Sequence, residues 1–295
     1  MNNKIKVSTF DKCFDTLNVL FQTCIALIML YPMLYVIIAS VSESSKLMAQ
    51  SGFLWKPLGF SFDAYKAAFN NPKLLTGYMN TIFVVVAGVT LNMVLTCCGA
   101  YFLSRKNVKY QKIISIYILI TMFFSGGMIP FYFVVRSVGL EGSLWSLIIP
   151  AGINTFNMMI LRVAFEGVPV SLEESAKLDG AGHLRILFSI VLPVTKASLA
   201  VIVLYYAVQH WNSWFNAMLF INDAEKYPLQ LILREILISN DTAEMTQGVA
   251  ISDQQSVADT IKYAIIVIGT LPILCVYPFI QKYFTKGVMI GAVKG

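Results

Sequence analysis

Six stretches of this 295-residue chain contain no Asp, Glu, Lys or Arg. They run over residues 16–42, 74–104, 113–135, 142–161, 197–222 and 263–281, with lengths of 27, 31, 23, 20, 26 and 19 residues. A helix rises about 1.5 Å per residue, so crossing the hydrocarbon core of a bilayer takes roughly 17–25 mostly apolar residues. Each window meets that requirement. Only 13% of the chain is charged and 57% is apolar, whereas a soluble domain carries about 25% charge. A soluble enzyme, a disordered protein and a nucleic-acid reader are thereby excluded. The expected fold is an all-α integral membrane protein with six transmembrane helices, divided into an N-terminal segment 1–16, a membrane domain 17–281 and a tail 282–295.

The first window is far longer than the apolar region of a cleaved signal peptide, so that span is expected to be retained. Cys13 precedes it, and Cys24, Cys97, Cys98 and Cys275 lie within spans, which suits small packing residues better than a disulfide framework. The only histidines, His183 and His210, have no helical partner three or four residues away, so no metal site is expected.

Lys and Arg favour the cytoplasmic side because translocating them is disfavoured. With both termini inside, the cytoplasmic segments hold 14 basic residues in 72 positions, against 8 in 77 outside. The net charge of +6 is then explained by an N-in, C-in topology, anchored by Arg105, Lys106, Lys109 and Lys112 in one short loop. Breakers at Pro32, Gly126, Gly127, Pro130, Pro150, Pro272 and Pro278 point either to interrupted helices around a pathway or to ordinary kinks.

The segment 166–193 between the fourth and fifth windows is long, cytoplasmic in this topology, and patterned. Ser171 with Glu174 three residues on reads as a capping box, and Gly180 and Gly182 as helix stops. A helix of about two turns is too short to be stable alone and needs a surface to pack on. Within it Glu174-Ser175-Ala176, then Gly180, then Ile190-x-Leu192-Pro193, resembles the EAA loop of binding-protein-dependent ABC importers, with Ser175 in place of the first alanine. Trp211-Asn-Ser-Trp-Phe-Asn216, Tyr227-Pro-Leu-Gln-Leu-Ile-Leu-Arg234 and Lys286-Gly-Val-Met-Ile-Gly-Ala-Val-Lys-Gly295 extend the likeness to the carbohydrate branch. There the chain is similar to maltose-type second permeases, above all those of the oligosaccharide and polysaccharide, alginate-type subgroup.

The resemblance implies a type I ABC importer permease fold in the cytoplasmic (inner) membrane. It implies a heterodimer with a homologous sister permease, two ATPase subunits that bind ATP and Mg, and an extracytoplasmic sugar-binding protein. This chain is then a non-catalytic permease subunit that holds no cofactor. No glycine in it precedes a lysine, so it lacks a phosphate-cradling P-loop. The EAA helix would couple to the ATPase through Glu173, Glu174, Ser175, Ala176, Asp179, Gly180 and Ala181. The ending Gly291, Ala292, Val293, Lys294 and Gly295 would insert between the ATPase subunits, where charge and glycine content alone suggest a frayed end.

Tyr205, Tyr206, His210, Trp211, Asn212, Trp214 and Asn216 combine rings that stack on sugar C–H faces with amides that seek hydroxyls. They suit a substrate path or, equally, an interfacial aromatic belt. Residues 223–262 outside carry seven acids against Lys226, Arg234 and Lys262, as a solvated loop or a surface reaching toward the binding protein. An ion-coupled secondary sugar transporter is the alternative, but its coupling ion calls for ionisable groups at mid-membrane depth, and all six windows are charge-free.

Overall fold

A computed structural model describes residues 8–105, 108–239 and 254–292. Among them every regular element is a helix, with one isolated antiparallel bridge, Ser42–Phe60. In chain order these are α1 (Thr9–Ser40), α2 (Ser44–Ala49), α3 (Asp63–Phe69), α4 (Pro72–Ser104), α5 (Gln111–Phe123), α6 (Met128–Ser137), α7 (Trp145–Ile148) and α8 (Thr155–Glu166). There follow α9 (Val170–Leu178), α10 (His183–Ile186), a π-helical turn Leu187–Val191, α11 (Leu192–Val194), α12 (Lys196–Trp211), α13 (Trp214–Phe220), α14 (Leu229–Ser239) and α15 (Gln254–Ala292).

Six unbroken crossings are met only in part. Three helices are long and apolar enough to cross a membrane alone: Phe10–Ser40, Pro72–Ser104 and Thr260–Pro278. Five crossings result if two bent pairs each count as one: α5 with α6, bent by 114°, and His183–Val194 with α12, bent by 89°. Window 142–161 divides into α7 and α8 around Pro150 and Gly152, and α8 alone rises only about 18 Å, short of the roughly 30 Å hydrocarbon core. Window 197–222 divides at Asn212–Ser213. Gly126, Gly127 and Pro150 thus stand at real breaks, Gly127 with a φ of +85°, whereas Pro32, Pro272 and Pro278 sit inside continuous helices. Pro130 falls in the first turn of α6, where its missing N–H costs nothing.

The chain divides into two units, residues 1–71 with 240–268 and residues 72–239 with 269–295. In the first, α1 starts at a capping box in which the Phe10 N–H donates to Ser8 Oγ (3.3 Å) and the Ser8 N–H to Asp11 Oδ2 (3.1 Å). Its apolar side chains are bare over residues 10–30, Leu17 64% and Ile28 72% exposed, as a helix hydrophobic all round demands of lipid or another apolar partner. After α1 the chain folds back, the Leu54 N–H donating to the Tyr31 hydroxyl at 3.0 Å and the Leu58 N–H to Ser42 Oγ at 3.2 Å.

The second unit is built around α4. Its buried face reads Leu74, Gly77, Thr81, Val84, Gly88, Asn92, Thr96, Ala100 and Leu103, spaced by three or four residues as a single helical stripe demands. Helices α12, α8, α14 and α7 pack along it. Two polar rungs tie it to α12: His210 Nε2 donates to Asn92 Oδ1 (2.6 Å), and Tyr206 and Thr96 share a hydrogen bond (2.7 Å). The spacings match, 92 to 96 and 206 to 210, as in antiparallel helices in register. Gly88 makes the close approach possible, since a Cβ there would lie 2.5 Å from the His210 ring.

Asn92 also donates through Nδ2 to the carbonyl of Ala151, in the gap between α7 and α8. Asn92→Leu would orphan both partners in a dry interior, a loss of about 1–3 kcal/mol. Thermal unfolding in detergent is expected to drop by several degrees for Asn92→Leu and to stay unchanged for Thr90→Val, whose hydroxyl bonds only its own helix at Val86.

Candidate functional site

Helix α9 forms between two glycine-containing connections. Pro169, with φ fixed at −57°, stands at its N-cap, and no side chain caps the helix. The capping box expected at Ser171 and Glu174 therefore does not form. Helix geometry begins at Val170, which puts Ser171 inside the first turn and turns the Glu174 carboxylate outward. The C-terminal stop follows the expectation: Gly180 has a φ of +77°, its N–H donates to Lys177 O (3.0 Å), and the Ala181 N–H donates to Ala176 O (2.9 Å). That pair of bonds is a Schellman motif, which consumes two carbonyls that would otherwise be orphaned.

The helix has two faces. Glu173 is 4% exposed, and Ala176 and Ala181 pack against the core cluster of Ala100, Leu103, Phe165 and Ile186. Glu174, Ser175, Lys177 and Asp179 are exposed, and Leu178 is 90% exposed. The seven coupling-loop residues expected from the sequence fall within 173–181, with Glu173, Ala176 and Ala181 on the packed side and Glu174, Ser175, Asp179 and Gly180 exposed.

Glu173 pairs with Arg105, the residue that follows α4. The guanidinium also donates to Ser104 Oγ (3.1 Å) and to the carbonyl of Phe165 at the end of α8 (3.4 Å), and lies 4.7 Å from the Tyr101 ring centre. The Tyr101 hydroxyl is 3.3 Å from His183 Nδ1 at the start of α10. Burial pulls the Arg105 pKa below its ordinary value, with Tyr101 and Glu166 opposing; an arginine stays charged through such a shift. The sequence reading took Arg105 for a topology anchor and missed this pairing, which spans 68 positions.

The aromatic and amide residues of the fifth window separate. Tyr206 and His210 are buried, and the Tyr206 hydroxyl also accepts from the Asn154 N–H (3.1 Å), so both are used up in holding the bundle. Trp211 donates from Nε1 to Gly269 O (3.2 Å), and Asn212 from Nδ2 to Val208 O in its own helix (3.0 Å). Tyr205 and Trp214 remain 38% and 37% exposed, Asn216 is half-buried, and the Arg234 guanidinium sits 4.9 Å over the Trp214 ring. The sequence placed Arg234 in a family motif and among the cations of 223–262, and gave no sign of its stacking on Trp214.

Gly291 and Ala292 end α15, so the chain after Lys282 continues as helix, unlike the frayed end that charge and glycine content alone suggest; Val293, Lys294 and Gly295 lie outside the described residues. Among the described residues no cluster of His, Cys, Asp or Glu could hold a metal ion.

The chain is similar along its length to known proteins. Protein LplC of Bacillus subtilis (strain 168) is 42% identical over 284 residues, covering 96% of each chain. The polygalacturonan/rhamnogalacturonan transport system permease protein YtcP of the same organism is 42% identical over 290 residues, covering 97% of this chain and 99% of its own. A crystal structure of a bacterial ABC transporter involved in the import of the acidic polysaccharide alginate contains a chain that superimposes with a TM-score of 0.86 at 32% identity, covering 95% of this chain and 100% of that one. No family model matches the sequence.

Gly180→Val places a Cβ in left-handed backbone at about 1 kcal/mol of strain. Amide exchange of Gly180 and Ala181 is expected to quicken roughly fivefold, that energy taken as the loss of local opening free energy. Gly182→Ala, at φ −75° with open space around it, is expected to leave exchange unchanged.

Proposed function

The chain belongs to the permease subunits of carbohydrate ABC importers, and from that premise we propose that it forms, with a homologous sister permease, the path of an oligosaccharide or polysaccharide through the cytoplasmic (inner) membrane. Members of this family are multi-pass and non-catalytic. ATP and Mg are bound by two partner ATPase subunits, and an extracytoplasmic binding protein delivers the sugar. YtcP is named as a polygalacturonan/rhamnogalacturonan transport permease, and the solved transporter is involved in the import of alginate, which supports a polymeric sugar as cargo.

In this reading the membrane domain 17–281 makes six crossings with both termini inside. The six crossings count α5 with α6 as one and the interrupted region α7–α8 as another. The basic residues at 105–112 and the tail 282–295 lie with α9 on the cytoplasmic face. Interrupted crossings are tolerated where the chain itself satisfies the freed backbone, and that is the arrangement around α4. The tail residues Gly291, Ala292, Val293, Lys294 and Gly295 reach the ATPase interface. Of the aromatic set, Tyr205, Trp214 and Asn216 keep surface for sugar, while Tyr206 and His210 act from inside the bundle.

The observation that supports coupling most is the two-faced helix α9: its inner side is bound to the bundle, and its outer side presents Glu174, Lys177, Leu178 and Asp179 with no described element over them. A short helix with a bare apolar and acidic face needs a protein partner. ATP-driven closure of the ATPase pair then moves α9, and the permeases rock with it.

In proteoliposomes containing the full complex and the binding protein, Glu174→Ala is expected to lower transport and sugar-stimulated ATP hydrolysis together, at equal complex levels. A single cysteine at position 177 is expected to react with an impermeant thiol reagent in inverted vesicles and to stay unlabelled in intact cells; labelling from outside would overturn the orientation.

A further inference from the structure

The connections on either side of α9 are poor transmitters of force. Gly167 precedes Pro169 on one side, and Gly180 and Gly182 follow on the other, with nothing within 4 Å of where a Cβ would stand on either of the latter two. A push delivered to α9 through such hinges would swivel the helix and leave the bundle at rest. The attachment is non-covalent: Ala176 and Ala181 pack against the core cluster, and its polar part sits in one place, at the C-terminal end of α4. There Arg105 holds Glu173 of α9 and the Phe165 carbonyl of α8, and Tyr101 meets His183 of α10. Both sides of the loop and its helix are thus fixed to a single point. The Arg105 and Glu173 side chains are only 18% and 5% exposed, whereas the nearby Arg162–Glu166 pair is 25% and 37% exposed. A buried pair is held in one geometry, and removing either partner strands the other charge. A surface pair contributes little.

We infer that Arg105 and Glu173 form the transmission clamp of this permease, positioning residues that make α4 move with α9. Glu173 therefore acts inside the chain, behind the surface that its neighbour Glu174 offers to the ATPase. Helix α4 carries α12, α8, α7 and α14 along its buried face, so a displacement passed to Arg105 reaches most of the second unit at once. This inference rests on the reading of α9 as the docking element.

The clamp predicts a specific defect. In the reconstituted full complex, Arg105→Gln and Glu173→Gln are each expected to raise the ATP hydrolysed per sugar transported at least threefold. The α9 surface still meets the ATPase, but its motion no longer moves α4. The double reversal Arg105→Glu with Glu173→Arg is expected to recover at least half of the lost coupling, and Arg162→Gln to leave it unchanged. A purely structural pair would lower the amount of complex without altering the ratio in the complexes that assemble. Wild-type ratios in the single variants, or a reversal no better than the single variants, would overturn the clamp. If a single variant fails to assemble, the reversal decides: assembled and coupled supports the clamp, and any other result rejects it. Glu174→Ala measured alongside separates the two claims. If it lowers transport and sugar-stimulated hydrolysis together while the Arg105 and Glu173 variants keep the wild-type ratio, only the clamp fails; if Glu174→Ala leaves both rates at wild type, the docking reading of α9 fails.

Discussion

Inside a bilayer no water is available for a peptide group that loses its helical partner, and each such group costs several kcal/mol if left alone. The second unit depends on how α4 meets that constraint. The chain breaks between α7 and α8 and before α14, and at each break a polar side chain of α4 or its partner takes up the exposed group. Asn92 donates to Ala151 O, Tyr206 accepts from the Asn154 N–H while bonded to Thr96, and the Leu229 N–H donates to Thr81 Oγ1 (2.8 Å). Asn80 Nδ2 does the same for the carbonyls of Glu225 (2.8 Å) and Tyr227 (3.1 Å). A continuous helix thereby supports interrupted ones, and the polar residues of an otherwise apolar span are explained without assigning them to a substrate.

That explanation also shows what the sequence could reveal. Absence of charge is a property of each window by itself, so the all-helical membrane class and the three straight spans were legible. Breaks depend on whether a partner exists for the freed groups, and partners lie far along the chain. Pro150 and Gly126–Gly127 broke their helices, whereas Pro32, Pro272 and Pro278 did not. Tyr206 and His210 looked like sugar ligands because a tyrosine and a histidine in a span invite a functional reading. The matched four-residue spacing of Asn92 and Thr96 on another span was the signal that they pair with each other.

The loop 166–193 shows the same division. Gly180 was legible because a left-handed stop is a local requirement. The N-terminal cap was misread because Pro169, two residues before Ser171, starts the helix earlier. The inward turn of Glu173 was hidden by its distance from Arg105, although Ala176, three residues further on, marked the packed side. The result is a two-faced helix: Glu173 binds it to the bundle, and Glu174, Lys177, Leu178 and Asp179 stay exposed.

The central claim is that this outer face is where the ATPase sits. Leu178, 90% exposed at the tip of α9, reports on it most directly. A photoreactive amino acid placed at position 178 in the assembled complex should crosslink to the ATPase subunit, with a yield that changes when ATP closes the ATPase pair, while the same probe at position 176, on the packed side, should crosslink within the chain. Crosslinking from position 178 to lipid or to the sister permease, with no ATPase adduct in either nucleotide state, would contradict the account.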